Sequence, residues 1–219
     1  KKWDLDWGGL KGDQKFMRPN SLDFLLSYGQ LSKDSLVLSY VETTLDKMAS
    51  GGIFDQIGGG FYRYSTDPYW KVPHFEKMLY DNAQLLSIYS NAFKVFKDER
   101  FKSELYNIHR FLESKMTGED NLIYSSISAD TNYEDGTKSE GDFYIWQVEE
   151  LKKILNENFE WVSEYYNINE TGYWENDSYI FYQTISDKDF SKKEGITLKE
   201  FNNKLYDINS LLKKEREKR

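Results

Sequence analysis

An all-α fold of three helical hairpins, with long loops gathered on one face, is what the sequence predicts. Three observations carry it. Apolar residues recur at helical spacing in six segments, 20–30, 33–49, 75–97, 99–116, 147–166 and 197–217. Their apolar faces differ in width, as an inner and an outer layer of helices require. Long connections rich in glycine, aromatic and acidic residues leave the outer helices on one face, where functional loops collect on a rigid scaffold.

Pro19 and Asn20, a good N-cap, open "SLDFLLSYG", a short helix expected to stop at Gly29. Val37, Val41, Leu45 and Met48 mark the second helix, which Gly51 and Gly52 end. After Pro73, residues 75–97 read as a long helix. Met78, Leu79, Leu85, Leu86, Ile88, Tyr89, Phe93, Val95 and Phe96 cover most of its circumference, the pattern of a helix buried between neighbours. Residues 99–116 carry a narrower stripe, Phe101, Leu105, Ile108 and Leu112, and are expected to lie antiparallel on its outer side. The connection 117–144 is polar and acidic, with a short strand expected around Leu122 to Ile127. Helical pattern resumes in "WQVEELKKILN" and "FEWVSEYYN", and "TGYWENDSYIFYQ" reads as a turn and a short β piece. The capping box Thr197-x-x-Glu200 opens the last helix. The hairpins are therefore about 20–49, 75–116 and 147–217 of a single domain, with 167–196 inserted in the third.

The chain has 219 residues, 39% hydrophobic and 17% aromatic, enough for a sizeable core and too aromatic for disorder. A net charge of −8 argues against a nucleic-acid partner, which needs clustered Lys and Arg. The terminal "KKEREKR" reads as the solvated end of a helix. The absence of cysteine excludes a disulfide framework, a CxxC redox centre and a thiolate zinc site, and suits a cytoplasmic protein. No run has the length of a membrane span, and the first residues contain no signal-peptide h-region.

The stretch "GGIFDQIGGGFYRYSTDPYWKVPHFEKMLYDNA", residues 51–83, concentrates the chemistry. Its glycines lack the spacing of a P-loop or a dinucleotide fingerprint, so turn geometry and close backbone approach explain them better. Pro73 places His74 and Glu76 near the start of the expected helix, with Asp81 five residues beyond Glu76. His74, Glu76, Asp81 and Glu140 are the candidates for general acid/base work, since a histidine titrates near neutral pH and a carboxylate orients it. Asp55, Arg63, Tyr62, Trp70 and Asp130 are the candidates for holding a substrate. Aromatic faces stack on sugar rings, and Arg fixes hydroxyls or a carboxylate. Glycoside hydrolysis uses two carboxylates roughly 5 to 10 Å apart, and Asp55 or Glu76 facing Asp130 or Glu140 fits that demand. A plainer reading stands beside each. Glu76 is then a first-turn acid favoured by the helix dipole, His74 a hydrogen-bonded structural residue, and Asp67, Glu134 and Asp135 solvated acids. Phe61 and Tyr64 suit the packing of the loop itself. His74 and His109 lie on separate segments and no HExxH exists, so neither a metal nor a cofactor is expected.

The same stretch resembles the signature of the family that holds spermatogenesis-associated protein 20 and the bacterial YyaL proteins. "WGGLKGDQKFMRPNSLDFLL" looks like that family's entry segment, with Met17 and Arg18 where the pattern has Phe-Pro. "SISADTNYEDGTKSEGDFYIW" resembles its Asp-Ala-Asp and Glu-Gly-x-x-Tyr-x-Trp region, with Ser128 in place of the first acid. The resemblance implies an (α/α)6 toroid of the six-hairpin glycosidase class, similar also to N-acylglucosamine 2-epimerases, of which this chain is about half. It implies a carbohydrate-active domain, a glycoside hydrolase or a sugar epimerase. The alternative is a non-catalytic binding or scaffold module. The family's thioredoxin-like part has no counterpart in these residues, so no redox function is carried over. Loops 51–76 and 117–146 are expected to meet over the 75–97 helix, bringing His74 and Glu76 near Arg63 and Glu140. The flanks of the outermost hairpins are expected to be covered by a second copy, by the remainder of a longer protein, or by "TGYWENDSYIFYQ" folding back.

Overall fold

The computed structural model describes residues 2–133 and 135–219. The chain divides into two compact units, residues 1–140 and 141–219.

In the first unit, α1 (Pro19–Ser32) and α2 (Ser35–Ser50) form one hairpin. A second consists of α3 (Leu79–Phe96) and α4 (Glu99–Phe111), which runs on into a π-helical turn at Leu112–Met116. Asp34 and Asp98 cap α2 and α4, each accepting from the backbone N–H two residues on. Gly29 does not end α1. It sits buried inside the helix, where a side chain would collide with Leu38 of α2, and Lys33 in the left-handed region makes the stop. Its service is close helix approach, which a stop-signal reading of glycine misses. α3 packs against α1, α2 and α4. Val41, Leu45 and Met48 of α2, Leu85, Ile88 and Tyr89 of α3, and Phe101 and Ile108 of α4 are buried. Each such side chain contributes about 1.5–3 kcal/mol of transfer free energy. Tyr89 also donates its hydroxyl to the Leu45 carbonyl at 2.8 Å, so its polar end is satisfied.

The long helix begins at Leu79, not at 75. Residues 73–78 are extended, and Pro73 opens no helix. β1 (Lys15–Phe16), β2 (Tyr64–Ser65) and β3 (Pro73–His74) form an antiparallel sheet, with Phe16 opposite Tyr64 and Tyr64 opposite His74. β4 (Lys77–Met78) pairs with β5 (Ser126–Ile127), which joins the two long loops. β6 (Asp130–Asn132) and β7 (Lys138–Glu140) make a hairpin that sets Asp130 opposite Glu140.

Two glycine loops in this unit are built alike. Asp4 accepts from the N–H groups of Asp6 and Trp7; Asp55 accepts from those of Ile57 and Gly58. The Asp4 N–H donates to Gly9, and the Asp55 N–H to Gly60. A buried lysine then locks each loop. Lys15 reaches Asp4 at 2.7 Å and the Gly8 carbonyl at 2.6 Å, and Lys77 reaches Asp55 at 2.8 Å and the Gly59 carbonyl at 2.9 Å. Lys15 lies over the Trp70 ring, and Lys77 over those of Tyr62 and Phe111. Gly8, Gly9, Gly59 and Gly60 all have positive φ, which L side chains rarely adopt. Each loop docks on a buried polar residue of a helix: Gly9 donates to Thr44 of α2 and Phe61 to Asn82 of α3. This is the structural purpose of the glycines.

In the second unit, β8 (Trp146–Gln147) leads into α5 (Val148–Leu155), a 3₁₀ turn (Asn156–Asn158) and α6 (Phe159–Tyr165). The single helical run expected over 147–166 is thus broken at Asn156, which has φ 48°. β9 (Ser178–Tyr179) pairs with β8, and α7 (Asp187–Lys193) packs on α8 (Leu198–Arg216), which opens with the expected capping box. Trp161, Tyr165, Tyr166, Phe181, Phe190 and Phe201 form an aromatic core, with Tyr166 stacked on Phe181 at 4.7 Å and Trp161 edge-on to Phe190 at 5.2 Å. The terminal basic run is not simply solvated. Arg216 is buried over Phe143 and Tyr144, and Arg219 grips both oxygens of Glu150 while donating to three carbonyls at 142, 143 and 145. Among the described residues, no helix is long and apolar enough to cross a membrane.

Candidate active site

Alternation in the extended segment 73–78 builds the site. Pro73, Phe75 and Lys77 turn inward and are buried; His74, Glu76 and Met78 turn outward. Phe75 anchors the segment edge-on against buried Tyr62, at 5.4 Å. Lys77 anchors it through Asp55. With both neighbours fixed inward, His74 and Glu76 can only point out.

Four side chains meet on that outer face. Arg63 Nη1 donates to Glu76 Oε2 at 2.9 Å, and the Arg63 N–H donates to the Glu76 carbonyl at 2.8 Å. His74 Nδ1 lies 2.7 Å from Glu140 Oε1, and His74 Nε2 lies 3.9 Å from Glu76 Oε2. The ring of Tyr64 lies 5.2 Å from the His74 imidazole, tilted by 31°. A carboxylate on Nδ1 favours the tautomer that carries its proton there, which leaves Nε2 as the basic atom beside Glu76. The hydrogen bond to Glu76 and its charge raise the Arg63 guanidinium, keeping it a fixed cation.

Asp81, in the first turn of α3, completes the group. Burial pushes its carboxyl up to about 6; the Arg63 charge opposes the rise and the Glu76 charge adds to it. At about 6 this carboxyl changes protonation close to neutral pH.

The structure thus brings His74, Glu76, Glu140 and Arg63 together with Asp81 close by. Other candidates it places elsewhere. Asp55 is buried and locked to Lys77, so it holds the glycine loop. Trp70 is wholly buried, and its indole N–H donates to the Trp7 carbonyl. Tyr62 is 3% exposed beneath the same segment. None of the three presents a face for a sugar. Asp130 is exposed on β6, opposite Glu140 in register. Asp67 organises its own loop by accepting from the N–H groups of Tyr69, Lys71 and Val72, and Asp135 accepts from that of Thr137. Glu134 lies outside the described residues. Phe16, stacked on Tyr64 at 4.9 Å, belongs to the same surface and was not singled out from sequence. The available signal was its place directly after a run of polar residues and glycine, Lys11 to Lys15. Among the described residues no group of three or more His, Cys, Asp and Glu is placed to hold a metal ion.

The architecture is that of the helical-hairpin toroids. Over 97% of this chain and 67% of that chain, it matches the cellobiose 2-epimerase of Bacillus thermoamylovorans B4167, with a TM-score of 0.52 at 13% identity; what this likeness shows is the fold. The sequence relatives are closer. Spermatogenesis-associated protein 20 is a homologue, 41% identical over 160 residues in Homo sapiens and 40% in Mus musculus, covering 71% of this chain and 20% of each relative. The uncharacterized protein B0495.5 of Caenorhabditis elegans is 35% identical over 187 residues, 78% of this chain and 25% of that protein. These matches bear out the resemblance carried by the motifs. The chain spans between a fifth and a quarter of the length of these relatives. No protein-family model matches it.

Proposed function

We propose that this cluster performs acid/base chemistry on a carbohydrate, with removal of a proton next to the sugar carbonyl as the reaction, as in a 2-epimerase. The observation that carries the reading is the His74 Nδ1–Glu140 contact of 2.7 Å, with Nε2 turned toward Glu76. A base oriented by a carboxylate and half-open to solvent is what proton abstraction requires. His74 Nε2 takes the proton, the C–H electron pair moves toward the carbonyl, and the Arg63 guanidinium faces the negative charge that develops on oxygen. Asp81, able to hold a proton near neutral pH, returns one to carbon, and the proton taken by His74 passes to solvent while Asp81 takes one up, which restores both groups. The fold of a sugar epimerase supports the reading.

A second reading has its own support. Arg63 with Glu76 and His74 with Glu140 satisfy one another without any ligand, as a non-catalytic module allows. Turnover of a panel of reducing mono- and disaccharides separates the two. The catalytic reading expects epimerised product and a loss of about 10²-fold or more in kcat in both His74→Gln and Glu140→Gln. No turnover by the wild-type chain on any sugar of the panel favours the module.

A further inference from the structure

We propose that Phe16 and Tyr64 form a stacking platform for a pyranose ring whose hydroxyls reach the Arg63–Glu76–His74–Glu140 cluster. The proposal rests on reading that cluster as a carbohydrate site, and it names the part of the sugar that the cluster leaves unrecognised.

Phe16, Tyr64 and His74 stand in register on three adjacent strands. Their side chains form a ladder: Phe16 and Tyr64 rings 4.9 Å apart at 23°, then Tyr64 and His74 5.2 Å apart at 31°. The ladder runs from a purely apolar ring, through an amphipathic one, to the titratable imidazole. Phe16 is 48% exposed, although its neighbours Lys15 and Met17 are buried. The Lys15–Asp4 lock holds Lys15 inward, so strand alternation turns Phe16 out. The second lysine lock turns Glu76 out in the same way. The two matching locks therefore aim the two ends of one surface, an apolar shelf and a charged rim.

A pyranose has that same division. One face of the ring is lined by C–H groups, and hydroxyls circle its edge. An apolar wall beside a few convergent polar groups is how small-molecule sites are built. Flat aromatic rings present such a wall with little side-chain freedom to lose. Buried Tyr62 and Trp70 cannot serve. A purely structural role for Phe16, as cross-strand packing on Tyr64, needs only an apolar side chain of similar size.

The test is saturation-transfer NMR on the 219-residue chain. The probes are N-acetylglucosamine and methyl β-D-glucopyranoside, with mannitol as an acyclic polyol control. Transfer to the ring C–H protons of at least one pyranose, and not to mannitol, is expected. Phe16→Leu is expected to lower it at least fivefold with an unchanged thermal midpoint, and Phe16→Trp to keep it. Should Phe16→Leu fail to fold, shifts of the Phe16 ring resonances in the wild-type chain on adding the same probes decide the question. No pyranose transfer, transfer equal to mannitol, undiminished transfer in folded Phe16→Leu, or unmoved Phe16 resonances overturn the proposal. Binding is read without turnover, so the two ideas fail separately. Phe16-dependent binding with no epimerisation keeps the platform and defeats the acid/base reading. Epimerisation with unchanged KM in Phe16→Leu does the reverse.

Discussion

Direction, more than identity, decides what a residue does in this site. His74 and Glu76 face outward because Phe75 and Lys77 face inward. Tyr62, Trp70 and Asp55 carry equally suitable chemistry and are spent on the interior. The sequence shows which residues are polar or aromatic but not which way they turn, so Arg63, His74, Glu76 and Glu140 were legible as a group while those three were misplaced. Asp81 gives a residue-scale test. Its folded carboxyl lies at about 6, above the ordinary 3.8 that the unfolded chain retains. The fold therefore disfavours its ionised form. This penalty is absent below about pH 4, grows as pH rises through the window, and is full above about 6. Asp81→Asn removes it. After discounting for solvent screening, a gain of about 1–2 kcal/mol is expected at pH 8, vanishing below pH 4. Urea unfolding at the two pH values checks it, and an equal change at both contradicts the account.

Among the elements, the short strands matter most and were hardest to read. The apolar run after Leu79 is strong, and periodicity carried the expected helix back over 75–78. True alternation was hidden there because one inward position is Lys77, whose charge disguises it as a surface residue. The Asn156 break escaped for a related reason: a positive φ leaves no mark on a hydrophobic pattern. The lysine locks give two predictions. Lys77→Met removes the ion-pair partner of the buried Asp55 carboxylate and is expected to cost about 3–5 kcal/mol, whereas Lys77→Met with Asp55→Asn, which keeps an acceptor for the Ile57 and Gly58 N–H groups, costs less. A double-mutant cycle in urea measures the difference, and additive losses contradict the lock. Gly60→Ala sets a Cβ against the Phe111 ring at φ 81° and is expected to cost about 1–3 kcal/mol. Gly136→Ala, with φ 83° but open space around it, is expected to cost less, since only the backbone strain remains. Thermal midpoints of the pair check the ordering.

At the scale of the whole molecule, helical hairpins carry the long loops on which the candidate site stands. The helical class and the toroid resemblance were legible from apolar spacing and from one long motif. The helix α7 was not, since it carries no periodic apolar run of its own. Homology to spermatogenesis-associated protein 20 covers 71% of the chain, and the fold is shared with a sugar epimerase, so the question left to the site is whether a proton moves there. The most direct measurement is solvent exchange. Reducing sugars incubated with the chain in D2O are followed by ¹H NMR at the carbon next to the carbonyl. Deuterium uptake is expected with wild-type chain, falling by about 10²-fold in His74→Gln and in Glu140→Gln at preserved fold. Exchange of equal rate in folded His74→Gln, or none above the uncatalysed rate with wild type, contradicts that expectation.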